Sequence, residues 1–392
     1  MKSRVGELRI IQVSDSLERA FGGTAAACAS LSNHLAAGGV DVAVMTPSTA
    51  ADGARWPLHP RVTARECRST GPRALTWRLG PLTDAPAILR SLMPIDVAHI
   101  HGLWRMPYLQ IARSARASGT PVVVSVHGML HPAALERRSL AKRVFRWLIQ
   151  DPLLLESARC LHATALDEAD VIRRAGYRGP IAIVPWGIDP PPATPVLTKA
   201  GEPLLVYLGR LHPSKGLETL LAAWARAAGR FPSWRLRLAG YDEGGYRAAL
   251  ETRARELGIA DRVTFNGPVT GGDREALFAA ASIVVLPSPA ENFGLVIAEA
   301  LARGIPAIAT SGAPWRALAE EGCGWVSGPD ADTLAATLTE ALSTDEATRR
   351  VMGGRGRRYA LPRFDWDRIA RSMADVYEWV SGRRSRPEFV AT

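Results

Sequence analysis

The chain has 392 residues, 47% of them hydrophobic, enough for two domains with separate cores. No run of about eighteen apolar residues occurs, which excludes a membrane-spanning helix. The formal net charge of +10 admits nucleic acid, an anionic membrane surface or an anionic substrate without choosing among them.

Lys2, Lys142, Lys199 and Lys215 are the only lysines, so arginine carries the positive charge, a skew that genomic base composition alone can produce. The N-terminal MKSRVGELRIIQVSD runs from a short polar lead into a strand, without the apolar core and small-residue cleavage site of a secretion signal. Cys28, Cys67, Cys160 and Cys323 are scattered, with no C-x-x-C pair. The expectation is a reducing cytosol, with neither disulfides nor a metal site built on cysteine.

Residues 8–14 form an apolar strand that leads through Asp15 to Phe21-Gly22-Gly23-Thr24 and an Ala-rich helix over 25–36, followed by a strand over 41–46. This is a βαβ unit. Gly22 and Gly23 stand where backbone could approach a diphosphate, or they form a flexible strand–helix turn; the residues alone leave both readings open. The absent G-x-G-x-x-G fingerprint disfavours a nicotinamide dehydrogenase. Residues 48–82 read as weak strands in loops. Strands over 95–101 and 122–126 each end in His-Gly, His101-Gly102 and His127-Gly128, at the strand ends where α/β sheets collect ligands. His99 and His101 share one strand face, but no nearby carboxylate or cysteine completes a metal site, so His99, like His131, is expected to be a hydrogen-bonded rim or core residue.

Over 137–149, RRSLAKRVFRWLI, Arg138, Lys142, Arg143 and Arg146 fall on one helical arc and the apolar residues on the other. Such a helix suits an anionic membrane surface, and equally an ordinary docked helix with a solvated face. A strand over 160–164, a helix over 167–175 and a strand over 181–185 close the first half at Trp186-Gly187-Ile188-Asp189. The Pro-rich stretch that follows reads as a linker.

A second βα series starts at 204–208. Arg210 and Lys215 follow that strand, next to a helix N-terminus, where they form an anion site or stand as solvated charges after a strand. Strands over 234–240 and 262–267 follow, the latter ending in Asn266-Gly267-Pro268. The apolar strand 283–286 then runs into Pro287-Ser288-Pro289, a loop carrying Glu291, and a helix opened by Gly294 and closed by Gly304. The helix N-terminus exposes free N–H groups. Glu291 can accept hydrogen bonds from sugar hydroxyls, and Glu299, two turns into the helix, can take the two hydroxyls of a ribose. A helix over 330–342, an amphipathic helix over 364–380 and a frayed tail over 383–392 complete the chain. Aromatic and basic residues do not interleave on one expected sheet face, which disfavours nucleic acid.

Residues 283–310, with Glu291 and Glu299 in E-x7-E spacing around Asn292-Phe293-Gly294 and followed by Gly304-Ile305-Pro306, resemble the signature of retaining GT-B glycosyltransferases of family 4 (glycosyl transferases group 1), of the bacterial exopolysaccharide and lipopolysaccharide type. Gly209-Arg210 and Lys215-Gly216 match the same family's diphosphate element. The resemblance covers nearly the whole chain and is most specific over 204–310. It implies an α/β fold of two Rossmann-like doubly wound domains facing across a cleft: an acceptor domain over 1–190, a linker over 191–203, a nucleotide-sugar domain over 204–363, and a helix over 364–382 crossing back to the first domain.

The implied activity is hexosyl transfer with retention, independent of any metal or other cofactor, from a GDP- or UDP-linked sugar. The implied acceptor is a saccharide, lipid-linked, in surface polysaccharide synthesis, and the implied place is the cytoplasm, peripheral to the membrane's inner face through residues 137–149. Arg210 and Lys215 would bind the diphosphate and Glu299 the ribose. Glu291 and the amides of Asn292, Phe293 and Gly294 would hold the sugar, with His127 and the Gly22-Gly23 turn contributed by the first domain. The chain departs from the family at Trp186, where Asn is usual, and at Trp315, near a usual acidic residue. A sugar phosphorylase of the same fold, or a non-catalytic sugar-nucleotide or glycan binder, are the alternative readings.

Overall fold

The computed structural model describes residues 7–19, 22–47, 54–68, 84–132, 154–191 and 202–392. The helix expected over 137–149 and residues 192–201 of the expected linker lie outside them. The chain divides into two compact units: residues 1–187 with Trp366–Thr392, and Ile188–Asp365.

The first unit runs β1 (Arg9–Val13), α1 (Gly23–Ala37), β2 (Asp41–Pro47), β3 (Thr63–Cys67), α2 (Ala85–Leu92), β4 (Val97–His101), α3 (Met106–Ala117), β5 (Val122–Ser125), β6 (Cys160–Ala163), α4 (Leu166–Arg174) and β7 (Ile181–Ile183). Among the described residues the strands lie in the order β7-β6-β5-β4-β1-β2-β3, all parallel. Because such strands are covered on both faces, β4, β5 and β6 are buried throughout. The chain order reverses between β1 and β4, so ligands are expected at the carboxyl ends of these strands.

The second unit has β8 (Leu204–Leu208), α5 (Leu217–Ala227), β9 (Arg235–Ala239), α6 (Tyr246–Glu256), β10 (Val263–Asn266), α7 (Gly271–Ala280), β11 (Ile283–Leu286), α8 (Leu295–Ala302), β12 (Ala307–Thr310), α9 (Ala317–Glu320), β13 (Gly324–Ser327), α10 (Ala331–Ser343) and α11 (Glu346–Arg363). Its sheet is parallel, in the order β10-β9-β8-β11-β12-β13. Here the switch falls between β8 and β11. Two Rossmann-like α/β units are what the sequence led us to expect.

Three local expectations are corrected. Residues 63–67 are a full strand paired with β2, anchored by fully buried Cys67, where only weak loop strands were expected. Helix α11 went unrecognised because Gly353, Gly354, Gly356 and Pro362 argue against a helix. Close packing overrides that propensity: a Cβ on Gly353 would stand 1.8 Å from the Gly304 carbonyl oxygen, and one on Gly356 2.7 Å from Leu301. The tail is not frayed, since Val390–Ala391 pairs antiparallel with β7 and Val390 is buried. The last helix, α12, spans Trp366–Val380, buries Met373, Val376 and Tyr377, and packs on α1.

Candidate active site

In the second unit the loops leaving β8 and β11 flank the switch point and touch. The first carries Arg210 and Lys215, the second Glu291 through Gly294. Their approach requires glycine. Gly216 has φ +68, and a Cβ there would meet the Pro287 carbonyl oxygen at 2.2 Å. Gly294, at φ +78, caps α8 and leaves no room beside Leu286. Lys215 Nζ donates to Glu291 Oε2 at 2.6 Å, with the two side chains 20% and 13% exposed. A partly desolvated ammonium–carboxylate pair at this point is a charge pair that an anion and a hydroxyl can divide between them.

Arg210 ion-pairs with Glu243 of the loop after β9, and its carbonyl accepts from Tyr207 Oη at 2.8 Å. Glu299, on α8, accepts from Arg274 of α7 at 2.6 Å. Burial works against the Arg274 charge, but the Glu299 carboxylate, a hydrogen bond to it, and Glu275 and Asp189 outweigh it and hold the guanidinium above its ordinary value. Phe293 turns its ring inward, onto Trp315 and Phe364, so only its backbone is left for a ligand. The Phe293 carbonyl accepts from Trp315 Nε1. Trp315 thus braces the loop behind Glu291, with Asn292 just before the braced residue and Gly294 between it and α8. Sequence reasoning assigned no role to Glu243, just past the carboxyl end of β9, or to Arg274, in the first turns of α7 after β10.

In the first unit, Gly22 caps α1 at φ 75, ψ −148, backbone that a side chain disfavours. The first turn, starting at Gly23, has no acidic residue and no side-chain cap, so its N–H groups keep their positive field. His127 lies just past β5 at φ 52, a left-handed conformation uncommon outside glycine. Its ring stacks on Trp186, with centroids 5.5 Å apart and planes at 14°, and on His101 at 5.4 Å. Trp186 is buried and meets His162 edge-on at 5.1 Å.

His99 is a core residue, as expected of it: both its nitrogens are bonded, to Tyr377 and Ser125. Burial first, and neighbouring histidines second, press His127 down to about 3 and hold His99 and His101 well below the ordinary imidazole range; burial takes His162 to about 4 against a hydrogen bond to Val184. These rings are neutral at pH 7. Gln12, in the strand RIIQV, and His162, in CLHA, went unnoticed. A lone polar residue in an apolar strand was the available signal. Among the described residues, no group of three or more His, Cys, Asp or Glu side chains is placed to hold a metal. None of the helices there is long and apolar enough to cross a membrane.

Residues 22–187 match the family model for a glycosyl transferase 4-like domain, and residues 194–359 that for glycosyl transferases group 1. The chain is 31% identical over 313 residues to a D-inositol 3-phosphate glycosyltransferase of Nocardiopsis dassonvillei, covering 74% of this chain and 72% of the relative. It is 27% identical over 308 residues to a GDP-mannose:cellobiosyl-diphosphopolyprenol alpha-mannosyltransferase of Xanthomonas campestris, covering 78% and 80%. A sucrose-phosphate synthase from Thermosynechococcus elongatus shares the fold, with a TM-score of 0.77 at 24% identity over 95% of this chain and 99% of that one. With the switch-point loops in place, the chain belongs to the glycosyl transferases group 1 and is a glycosyltransferase of the two-domain α/β GT-B fold.

Proposed function

We propose that this enzyme transfers a hexose, with retention of configuration and without a metal, from a GDP- or UDP-linked sugar to a saccharide. The Lys215–Glu291 pair at the switch point carries the reading. A diphosphate takes the Lys215 ammonium, with Arg210 beside it, and frees a Glu291 oxygen for a sugar hydroxyl. Amides at Asn292 to Gly294 hold the same sugar, and Glu299 takes the ribose. His127 and the Gly22-Gly23 turn are the first unit's ligand-facing groups. The acceptor oxygen bonds to the anomeric carbon as the bond to the diphosphate breaks, and its proton passes to the leaving phosphate oxygen. Fixed cations stabilise that leaving group, the task a metal performs elsewhere.

The acceptor in this reading is lipid-linked, and the enzyme works in surface polysaccharide synthesis on the cytoplasmic side of the membrane. Supporting this are the polyprenol-linked acceptor in one relative's name, the basic sequence over 137–149, and four buried, unpaired cysteines, in line with a reducing compartment. The inositol phosphate in the name of the relative at 31% identity supports a second acceptor class, a phosphorylated polyol.

A thermal-shift series with UDP, GDP and ADP and their sugar conjugates, in EDTA, tests the donor. Stabilisation by one nucleoside diphosphate that disappears in Lys215→Ala is the expected result, since a ligand stabilises the fold that binds it. No shift with any nucleotide would overturn the reading. Product analysis separates it from phosphorolysis, which releases sugar phosphate. For the lipid, serine at Arg138, Lys142, Arg143 and Arg146 should release the protein from anionic vesicles; unchanged binding rejects the membrane contact.

A further inference from the structure

Six side chains behind His127 join with it in one continuous series of hydrogen bonds. His162 Nε2 lies 2.7 Å from the Val184 carbonyl oxygen, and its Nδ1 2.6 Å from Ser125 Oγ. Ser125 Oγ lies 2.7 Å from His99 Nε2, and His99 Nδ1 2.7 Å from Tyr377 Oη. Tyr377 Oη takes Gln12 Nε2 at 3.1 Å. Gln12 Oε1 lies 2.6 Å from His101 Nε2, and His101 Nδ1 3.3 Å from His127 Nε2. The parallel register builds this row: Gln12 pairs with His99, His101 with Ser125, and Ser125 with His162.

Every ring and hydroxyl in the row can both give and accept, so in isolation the series could run either way. Its end cannot. The Val184 carbonyl only accepts, so His162 carries its proton on Nε2 and must accept at Nδ1. The Ser125 hydroxyl therefore donates to His162 and accepts from His99 Nε2–H. His99 then accepts at Nδ1 from the Tyr377 hydroxyl, whose oxygen accepts from the Gln12 amide nitrogen. The Gln12 carbonyl accepts from His101 Nε2–H, and His101 accepts at Nδ1 from His127 Nε2–H. The reverse polarity would set a bare His162 nitrogen against a carbonyl oxygen, with two acceptors and no proton between them. Burial keeps each ring neutral, so no second ring proton relaxes the rule.

We propose that this one-way chain fixes His127 as the Nε2–H tautomer and presents its Nδ1 as a bare acceptor to a ligand hydroxyl. Nδ1 has no hydrogen-bond partner among the described residues. A sugar hydroxyl satisfies it; a phosphate or carboxylate oxygen meets only a second lone pair there. Gln12, His99, His101, Ser125, His162 and Tyr377 are positioning residues that act through His127 and do not touch the ligand. Assigning a sugar as the ligand rests on the glycosyltransferase reading, whereas the tautomer does not.

The test is 15N NMR of the full-length protein with labelled histidine, without substrate, so its result stands apart from the nucleotide screen. In the wild type, His127, His101, His99 and His162 should each show a protonated Nε2 and a bare Nδ1 from pH 8 to pH 5. Tyr377→Phe removes one hydroxyl from the middle of the row and keeps the ring. It should leave His99 and His162 unchanged, still anchored on Val184, and turn His101 and His127 into tautomer mixtures. Ser125→Ala should release His99, His101 and His127 and spare His162. A protonated His127 Nδ1 in the wild type, or a His127 spectrum indifferent to Tyr377→Phe, overturns the proposal. If either variant fails to fold, the wild-type spectrum decides.

Discussion

Lys215 Nζ and Glu291 Oε2 stand 2.6 Å apart although they come from loops 76 positions apart in the chain. Among the described residues each is the other's ionic partner, and both side chains are largely buried. Lys215→Ala leaves the Glu291 carboxylate without its cation and the leaving diphosphate with one fewer. We expect kcat to fall about 100-fold or more, the scale seen on removing one group that stabilises developing charge. Lys215→Arg should recover part of the loss. Steady-state kinetics with the donor identified by thermal shift would check this, and a variant within threefold of wild type contradicts it.

The two loops tolerate no side chain at their contact. Gly216→Ala places a Cβ against backbone, 2.2 Å from the Pro287 oxygen, at φ +68. Gly244→Ala sits at φ +74 with nothing within 4 Å. The second should cost about 1 kcal/mol, for the left-handed backbone alone. The first should cost more than about 2 kcal/mol and move the Lys215 loop, with loss of nucleotide binding. Urea unfolding of both variants gives the comparison; equal costs would contradict the contact.

Trp315 tests the brace. Trp315→Phe keeps an aromatic ring against Phe293 and Phe364 but removes the Nε1–H that the Phe293 carbonyl accepts. An unpaired buried carbonyl costs about 1–3 kcal/mol. Because the freed backbone belongs to the loop after Glu291, donor KM should rise alongside the stability loss. A purely structural role would lower stability and leave KM unchanged.

The buried histidines predict an acid limit. In the unfolded chain each takes a proton near pH 6.5. In the folded chain His162 holds off until about 4 and His127 until about 3, with His99 and His101 also held well below the ordinary value. As pH falls below about 6.5 the unfolded state binds more protons, so folding stability falls, by about 1.4 kcal/mol per pH unit for each ring that stays neutral. Asp15 and Glu168, whose carboxyls burial holds above their ordinary range, act with the opposite sign, two groups against four. Unfolding free energies at pH 7.5, 6 and 5 should decline steadily, and a flat profile contradicts the neutral assignment.

The sequence by itself determined the two doubly wound units, the strand–loop–helix around Glu291, and the cations after β8. Those features are local: an apolar run, a Pro-Ser-Pro break, a glycine at a helix mouth and a charge two residues past a strand are written in adjacent positions. It could not say that Lys215 pairs with Glu291, Arg210 with Glu243 or Glu299 with Arg274, since each pair joins different crossovers of one sheet. Helix α11 stayed hidden because its glycines signal flexibility locally and close packing only against Gly304 and Leu301. The histidine row lay furthest out of reach. Gln12 and Tyr377 are 365 positions apart, and β1, β4, β5, β6 and α12 must all be in register before their polar atoms meet. A hydrogen-bond polarity set by one carbonyl at Val184 is a property of that whole assembly, so only the tertiary structure decides which nitrogen His127 offers.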